Sequence, residues 1–252
     1  MDIVNKLLIA FAIVVLSSTS ARADWYNVQF SNDPNGSQAT QYSGPGIDPS
    51  SGNYWNLITS PKSSGTSLYN SNAVLSSNSI AFSSSANVIV AAADNGFTSG
   101  TYAPLFSGYM YTIGTDTFSF AGLDTNKAYS LYIYTQAEST TSGESLMIQA
   151  TNGTTGAHIS AVPTTGSDGS LNHFVLNQNY LTITNAHPNA SGVLTFSYSP
   201  GDVDGYNQAN INGIQLSSAV PEPLTLVLLS IGSFLFIAFK LKSVGLESAF
   251  SA

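Results

Sequence analysis

The chain has 252 residues, only 8% of them charged, no cysteine, and a formal net charge of −8. Without cysteine there is no disulfide scaffold, no thiolate catalysis and no cysteine-ligated metal. Six Lys and Arg in the whole chain argue against a phosphate-tracking surface, so no nucleic-acid partner is expected.

Residues 1–23 read as a secretory signal peptide. Lys6 supplies a weakly basic start, and residues 7–16 form an uncharged apolar core. Ala21 and Ala23 flank Arg22 in a small-x-small cleavage site, so Asp24 would begin the mature chain. An uncleaved signal anchor is the alternative.

Residues 24–219 are enough for one sizeable all-β domain. Two lysines, Lys62 and Lys127, stand against eleven acidic residues, a formal charge of −9. That balance favours solubility and a neutral or cationic partner. Short β-branched and aromatic runs predict strands at 25–30, 87–92, 116–120, 128–135, 145–150, 172–176, 180–184, 193–198 and 209–216. The serine-rich stretch 63–85 and the polar stretch 135–145 read as punctuation. Tyr129, Leu131 and Ile133 share one face of their strand, Tyr132 and Tyr134 the other. Both faces are apolar, as in a central strand between two layers. The expected fold is an antiparallel β-sandwich.

Catalytic patterns are poor. His158, His173 and His187 form no i, i+4 pair, and no nucleophile elbow or phosphate loop is present. Glu138 and Glu144, the glutamates of the domain, lie in or beside a polar turn. A non-enzymatic protein is expected, although distant aspartates could converge in space. Asp202 and Asp204, followed by Gly205 and Asn207, offer hard oxygen ligands for a structural calcium; an ordinary Asx turn is the alternative. Sugar binding needs an aromatic face beside planar polar groups. Tyr54, Trp55 and Asn56, after a glycine-containing loop at 44–52, are the first candidates, and Tyr206 with Asn207 the second. A core anchor is the alternative role for Trp55, and packing the expected role for Trp25. Asn152 and Asn189 open Asn-x-Thr/Ser triplets.

Val28, Gln29 and Phe30, the loop into Tyr54, Trp55 and Asn56, and the turn from Phe120 to Leu123 before Tyr129 are similar to jelly-roll modules of the galactose-binding-like and malectin-like type. The closing run from Ile211 to Leu216 adds to the resemblance. It implies a jelly-roll-like sandwich and, as a class of ligand, carbohydrate.

The C-terminal stretch carries the clearest pattern. Residues 224–239 hold no charge and span roughly 24 Å as a helix, against a hydrocarbon core of about 30 Å. Lys240 can extend the run by snorkelling, giving one transmembrane helix at about 224–241. Pro223 suits the first helical turn, Glu222 its N-terminus, and Lys240 with Lys242 a cytoplasmic flank. Val220, Pro221, Glu222 and Pro223, the apolar run and the two lysines together resemble the PEP-CTERM sorting signal of Gram-negative bacteria. The resemblance implies exosortase as a processing partner, residence in the inner membrane before processing, and delivery to the cell surface or an exopolysaccharide matrix. The expected protein is an exported, non-enzymatic carbohydrate or matrix binder. The alternatives are a jelly-roll polysaccharide-degrading enzyme and a structural matrix protein without a specific ligand.

Overall fold

A computed structural model describes residues 23–31, 41–48, 51–60, 62–83, 88–91, 102–135, 146–151, 158–160, 173–200 and 208–218. Ala21, the polar stretch 136–145, the loop with Asp202, Asp204, Tyr206 and Asn207, and the C-terminal segment from Val220 through Lys240 and Lys242 lie outside the described residues. Among the described residues no helix is long and apolar enough to cross a membrane.

The segment Asp24–Ala219 forms one compact unit built from strands. In chain order they are β1 (Trp25–Phe30), β2 (Asn56–Ile58), β3 (Thr66–Tyr69), β4 (Leu75–Phe82), β5 (Val88–Ala91), β6 (Gly108–Thr112) and β7 (Asp116–Ala121). Then follow β8 (Tyr129–Tyr134), β9 (Leu146–Thr151), β10 (His158–Ser160), β11 (Tyr180–Ala186), β12 (Leu194–Pro200), β13 (Ala209–Ile211) and β14 (Gly213–Ser218). One sheet runs β11-β8-β14-β1-β2, a second β10-β9-β12-β7-β4-β3, and a small third β13-β6-β5. All pairings are antiparallel except β1 with β2. From β7 onward the chain repeatedly switches between the two large sheets, which gives the sandwich its jelly-roll-like character.

Period-two alternation explains the main core. Tyr26, Val28 and Phe30 of β1, Leu131 and Ile133 of β8, and Ile214 and Leu216 of β14 face Phe118, Phe120, Phe196 and Ile80 of the other sheet in one cluster. Phe118 stacks on Phe196 at 5.2 Å between ring centroids and meets Phe120 edge-on at 6.1 Å. The serine-rich stretch is not mere punctuation, because it holds β3 and β4. Leu68, Ile80 and Phe82 are buried there at alternate positions, while Ser67 and Ser77 face out. Serine fills outward positions of a hairpin whose inward positions are apolar.

Two other expectations change. Residues 173–176 form no strand; Gln178 N and Asn179 N both donate to Val175 O in a turn. The run 209–216 is two strands, because Asn212 interrupts it and its Nδ2 donates to Gly108 O at 2.9 Å.

First and last strands are neighbours. Trp25 pairs with Ser217 and Gln29 with Gly213. Asp24 N donates to Ser218 Oγ, and Ser218 N to Asp24 O, both at 3.0 Å. Lys127 Nζ sits 3.4 Å from Asp24 Oδ2 beside this junction.

Burial pushes the phenols of Tyr26, Tyr42, Tyr129, Tyr132, Tyr134 and Tyr198 above the ordinary value of 10.0. The unfolded chain therefore releases these protons first as pH rises. The associated stability is complete below about pH 10 and falls as pH climbs from there toward the folded values. Urea midpoints should be flat in this respect between pH 7 and 9 and should drop steeply by pH 11. For fully enclosed Tyr134 alone the slope is about 1.4 kcal/mol per pH unit. An unchanged midpoint at pH 11 would contradict this.

Candidate binding surface

The outward face of the β11-β8-β14-β1-β2 sheet is roofed by loops, and this decides where Trp55 goes. Tyr42, Trp55, Leu105, Phe106 and Tyr134 form a second buried cluster there, flanked by Ile47, Tyr102, Phe174 and Tyr180. Trp55 is 0% exposed. Its ring meets Tyr42 at 5.4 Å and Tyr134 at 5.8 Å, both edge-on, and its Nε1 donates to Gly44 O at 3.0 Å. Gly213 makes room for it: a Cβ there would lie 3.3 Å from the indole and 2.9 Å from Leu105 Cδ1. The expectation of Trp55 as an exposed sugar platform is therefore corrected. With no open face, the indole is a core anchor.

Amides fasten the roof. Gln29 Nε2 donates to Pro104 O at 2.8 Å, and its Oε1 accepts from Tyr42 N at 2.7 Å, tying two loops to β1. Asn27 Nδ2 donates to Ser51 O at 3.1 Å and Tyr54 O at 3.0 Å. Gln215 Nε2 donates to Asn27 Oδ1 at 2.8 Å, and its Oε1 accepts from Tyr134 OH and, at 3.2 Å, from Ile47 N. Each amide sits at an outward position of a strand yet is buried and bonded.

Asn56 is likewise no free polar partner for a ligand. It is 7% exposed, and its Nδ2 donates to Asn27 O at 2.9 Å and Tyr69 O at 2.8 Å, while its Oδ1 accepts from Tyr69 N at 2.8 Å. It thereby satisfies both backbone groups of Tyr69 on the edge strand β3 and joins the edges of the two large sheets.

This clamp creates an aromatic pair that sequence reasoning missed. Tyr54, half-buried, lies with its ring centroid 5.5 Å from that of Tyr69 at an interplanar angle of 51°. Tyr69 is 39% exposed. Its register partner Leu75 and the adjacent Val74 are each 58% exposed. The connecting turn is rigid: Asn70 Oδ1 accepts from Asn72 N and Val74 N, both at 3.0 Å, and Asn70 N donates to Val74 O at 2.8 Å. Ser71 N donates to Trp25 O, holding the turn against β1. Of the three residues Tyr54, Trp55 and Asn56, one lines the surface, one anchors it and one clamps its second ring. The usable signal for Tyr69 was the alternation of Leu68 inward and Tyr69 outward.

The remaining candidates do not converge. Trp25 packs, stacking on Tyr132 at 5.8 Å. His173 is exposed outside any strand, and His187 Nε2 lies 3.2 Å from Asn185 Oδ1 in a loop. Asn189 sits in an exposed turn, its Oδ1 accepting from Ser191 N and Val193 N. Among the described residues no group of three His, Asp or Glu could hold a metal, and the buried polar side chains are neutral Asn, Gln, Ser and Thr.

No family model matches the chain, and no curated protein matches it. Solved structures resemble it distantly. Protein YXIM of Bacillus subtilis is 12% identical with a TM-score of 0.37; the match covers 80% of this chain and 42% of that one. TmCBM61 in complex with β-1,4-galactotriose is 11% identical with a TM-score of 0.27, over 57% of this chain and 86% of that one. The CBM22-1–GH10 modules of the Clostridium thermocellum N-terminal endo-1,4-β-D-xylanase 10B, complexed with xylohexaose, are 10% identical with a TM-score of 0.33, over 56% of this chain and 26% of that one.

Proposed function

We propose that the protein is an exported, non-enzymatic carbohydrate binder of the cell surface or extracellular matrix. The observation that carries this reading is the Tyr54–Tyr69 pair held on a clamped edge. Sugar rings offer C–H faces that lie against aromatic faces, and hydroxyls that need planar hydrogen-bonding groups beside them. The pair supplies the first, and the asparagines of the Asn70–Val74 turn supply the second. A rigid platform loses little conformational freedom on binding. The neutral amide chemistry of the domain suits recognition better than proton transfer, which requires carboxyl or imidazole groups brought together.

The test is affinity electrophoresis of the full chain, purified in mild detergent, through gels containing soluble polysaccharides. At least one should retard it, and Tyr69→Ala should weaken that retardation by about tenfold, equivalent to about 1.4 kcal/mol. Retardation untouched by both Tyr69→Ala and Tyr54→Ala would move the site elsewhere.

Delivery rests on the C-terminal segment. Val220, Pro221, Glu222 and Pro223, the apolar run and its lysine flank support processing by exosortase after passage through the inner membrane. In the native host, intact mass should show loss of the segment from about Pro221 onward. The Pro221→Ala/Glu222→Ala/Pro223→Ala variant should keep it and stay in the inner membrane. Full-length mass for both chains would leave a plain single-pass anchor.

A further inference from the structure

We infer that the Tyr54–Tyr69 surface takes an uncharged glycan presented as a free single chain, and neither an acidic polymer nor the flat face of a crystalline polysaccharide. The inference rests on the carbohydrate reading above and adds the class of ligand.

Ring geometry gives the first half. A crystalline face is planar and asks for coplanar aromatic rings. The planes of Tyr54 and Tyr69 stand 51° apart with centroids 5.5 Å from each other, so both cannot lie on one plane. The angle makes a shallow notch. A single glycan chain rotates from one sugar to the next and can present differently tilted faces to the two rings.

Charge gives the second half. A polyuronate carries one carboxylate per sugar and needs cations to hold it. Residues 24–219 contain two, Lys62 and Lys127, against eleven acidic residues. Lys127 is committed to Asp24 at 3.4 Å. Lys62 precedes β3, at the opposite end of that strand from Tyr69. The long-range field of the domain is negative and repels a polyanion. The groups beside the rings are neutral: the phenol hydroxyls, Asn70 Nδ2 and the Asn72 side-chain amide, none of which has a partner among the described residues. Asn70 Nδ2 can donate to sugar hydroxyls, and the phenol hydroxyls and the Asn72 amide can both donate to and accept from them.

A single panel tests the proposal. The full chain in mild detergent is run against neutral soluble polysaccharides (galactan, xyloglucan, glucomannan), acidic ones (alginate, polygalacturonate), and insoluble cellulose and chitin, at 20 and 300 mM NaCl. The expected result is retardation by at least one neutral soluble polymer, changed less than twofold by salt and weakened at least tenfold in Tyr69→Ala. Tyr54→Ser provides a second variant at the other, half-buried ring. Tyr69-dependent binding to alginate, cellulose or chitin would overturn the inference while leaving the carbohydrate reading intact. Binding to no member of the panel would overturn both. Self-association that disappears in Tyr69→Ala and Leu75→Ser would also overturn both, assigning the patch to a second copy of the chain.

Discussion

Replacing Trp55 with alanine should lower the stability of the domain by about 4 kcal/mol. The side chain is fully enclosed and touches Tyr42 and Tyr134, and Gly213 beside it has no side chain of its own to fill the gap. Truncation would leave an indole-sized cavity and orphan the carbonyl of Gly44. The loop carrying Tyr54 would lose its nearest anchor, so glycan binding would weaken as a secondary effect. Tyr54→Ala, by contrast, removes a half-buried ring and should cost about 1 kcal/mol or less while abolishing binding. Urea midpoints and gel retardation measured on the same two proteins separate anchor from platform. A Trp55→Ala protein with an unchanged midpoint and no binding would put the indole in the ligand site after all.

Gln215→Leu should cost about 3 kcal/mol, although leucine is close in volume and more apolar. The amide has three partners: Asn27 Oδ1, Tyr134 OH and Ile47 N. Ile47 N retains Tyr134 OH as an acceptor at 2.7 Å, but the Tyr134 proton and Asn27 Oδ1 are left buried with nothing to bond. Losing part of a satisfied buried network costs more than never having built it. The double variant Gln215→Leu/Tyr134→Phe removes the orphaned hydroxyl but strips Ile47 N of its remaining acceptor, so the two effects offset and it should be no more stable than the single variant. Hydrogen exchange should show the Ile47 amide opening first. A Gln215→Leu midpoint equal to that of the parent chain would mean that the network does not depend on Gln215.

The sandwich was legible wherever strands alternate apolar and polar residues around aromatic anchors. β1, β7, β8, β11 and β12 are all of this kind, and the placement of β8 between two covered faces followed from its tyrosines. What stayed hidden has particular physical causes. β2 has three residues, too few for a period to register. In β3 and β4, serines outnumber the apolar residues that do the packing. Phe174 looked like a strand residue because it is aromatic; it packs instead against Tyr102, at 4.0 Å, from a turn. The loops that cover the polar side of β1 leave no sign in Asn27 and Gln29 themselves, although both are buried. The same roof misled the expectation for Trp55: an aromatic after a glycine-containing loop fits a platform and an anchor equally well. Only the fold shows Tyr54 turned outward onto a tyrosine fifteen positions away in sequence.

The pairing of β1 with β14 also sets an order of events. The bond from Asp24 N to Ser218 Oγ spans 194 positions, and the middle of one large sheet is made from the two ends of the domain. On the proposed export route, a chain threaded N-terminus first would hold its opening strand outside the membrane for as long as the rest takes to follow. During that interval β1 has its short parallel neighbour β2 but lacks its long antiparallel partner β14, and the sandwich closes only when residues 213–218 emerge. Such distant pairing places the protein among slow-folding topologies. On the export route proposed above, the segment from Val220 would follow almost as the domain becomes able to fold. If the segment from Val220 is the sorting signal proposed above, completion of the fold and its arrival are timed by the same last strand.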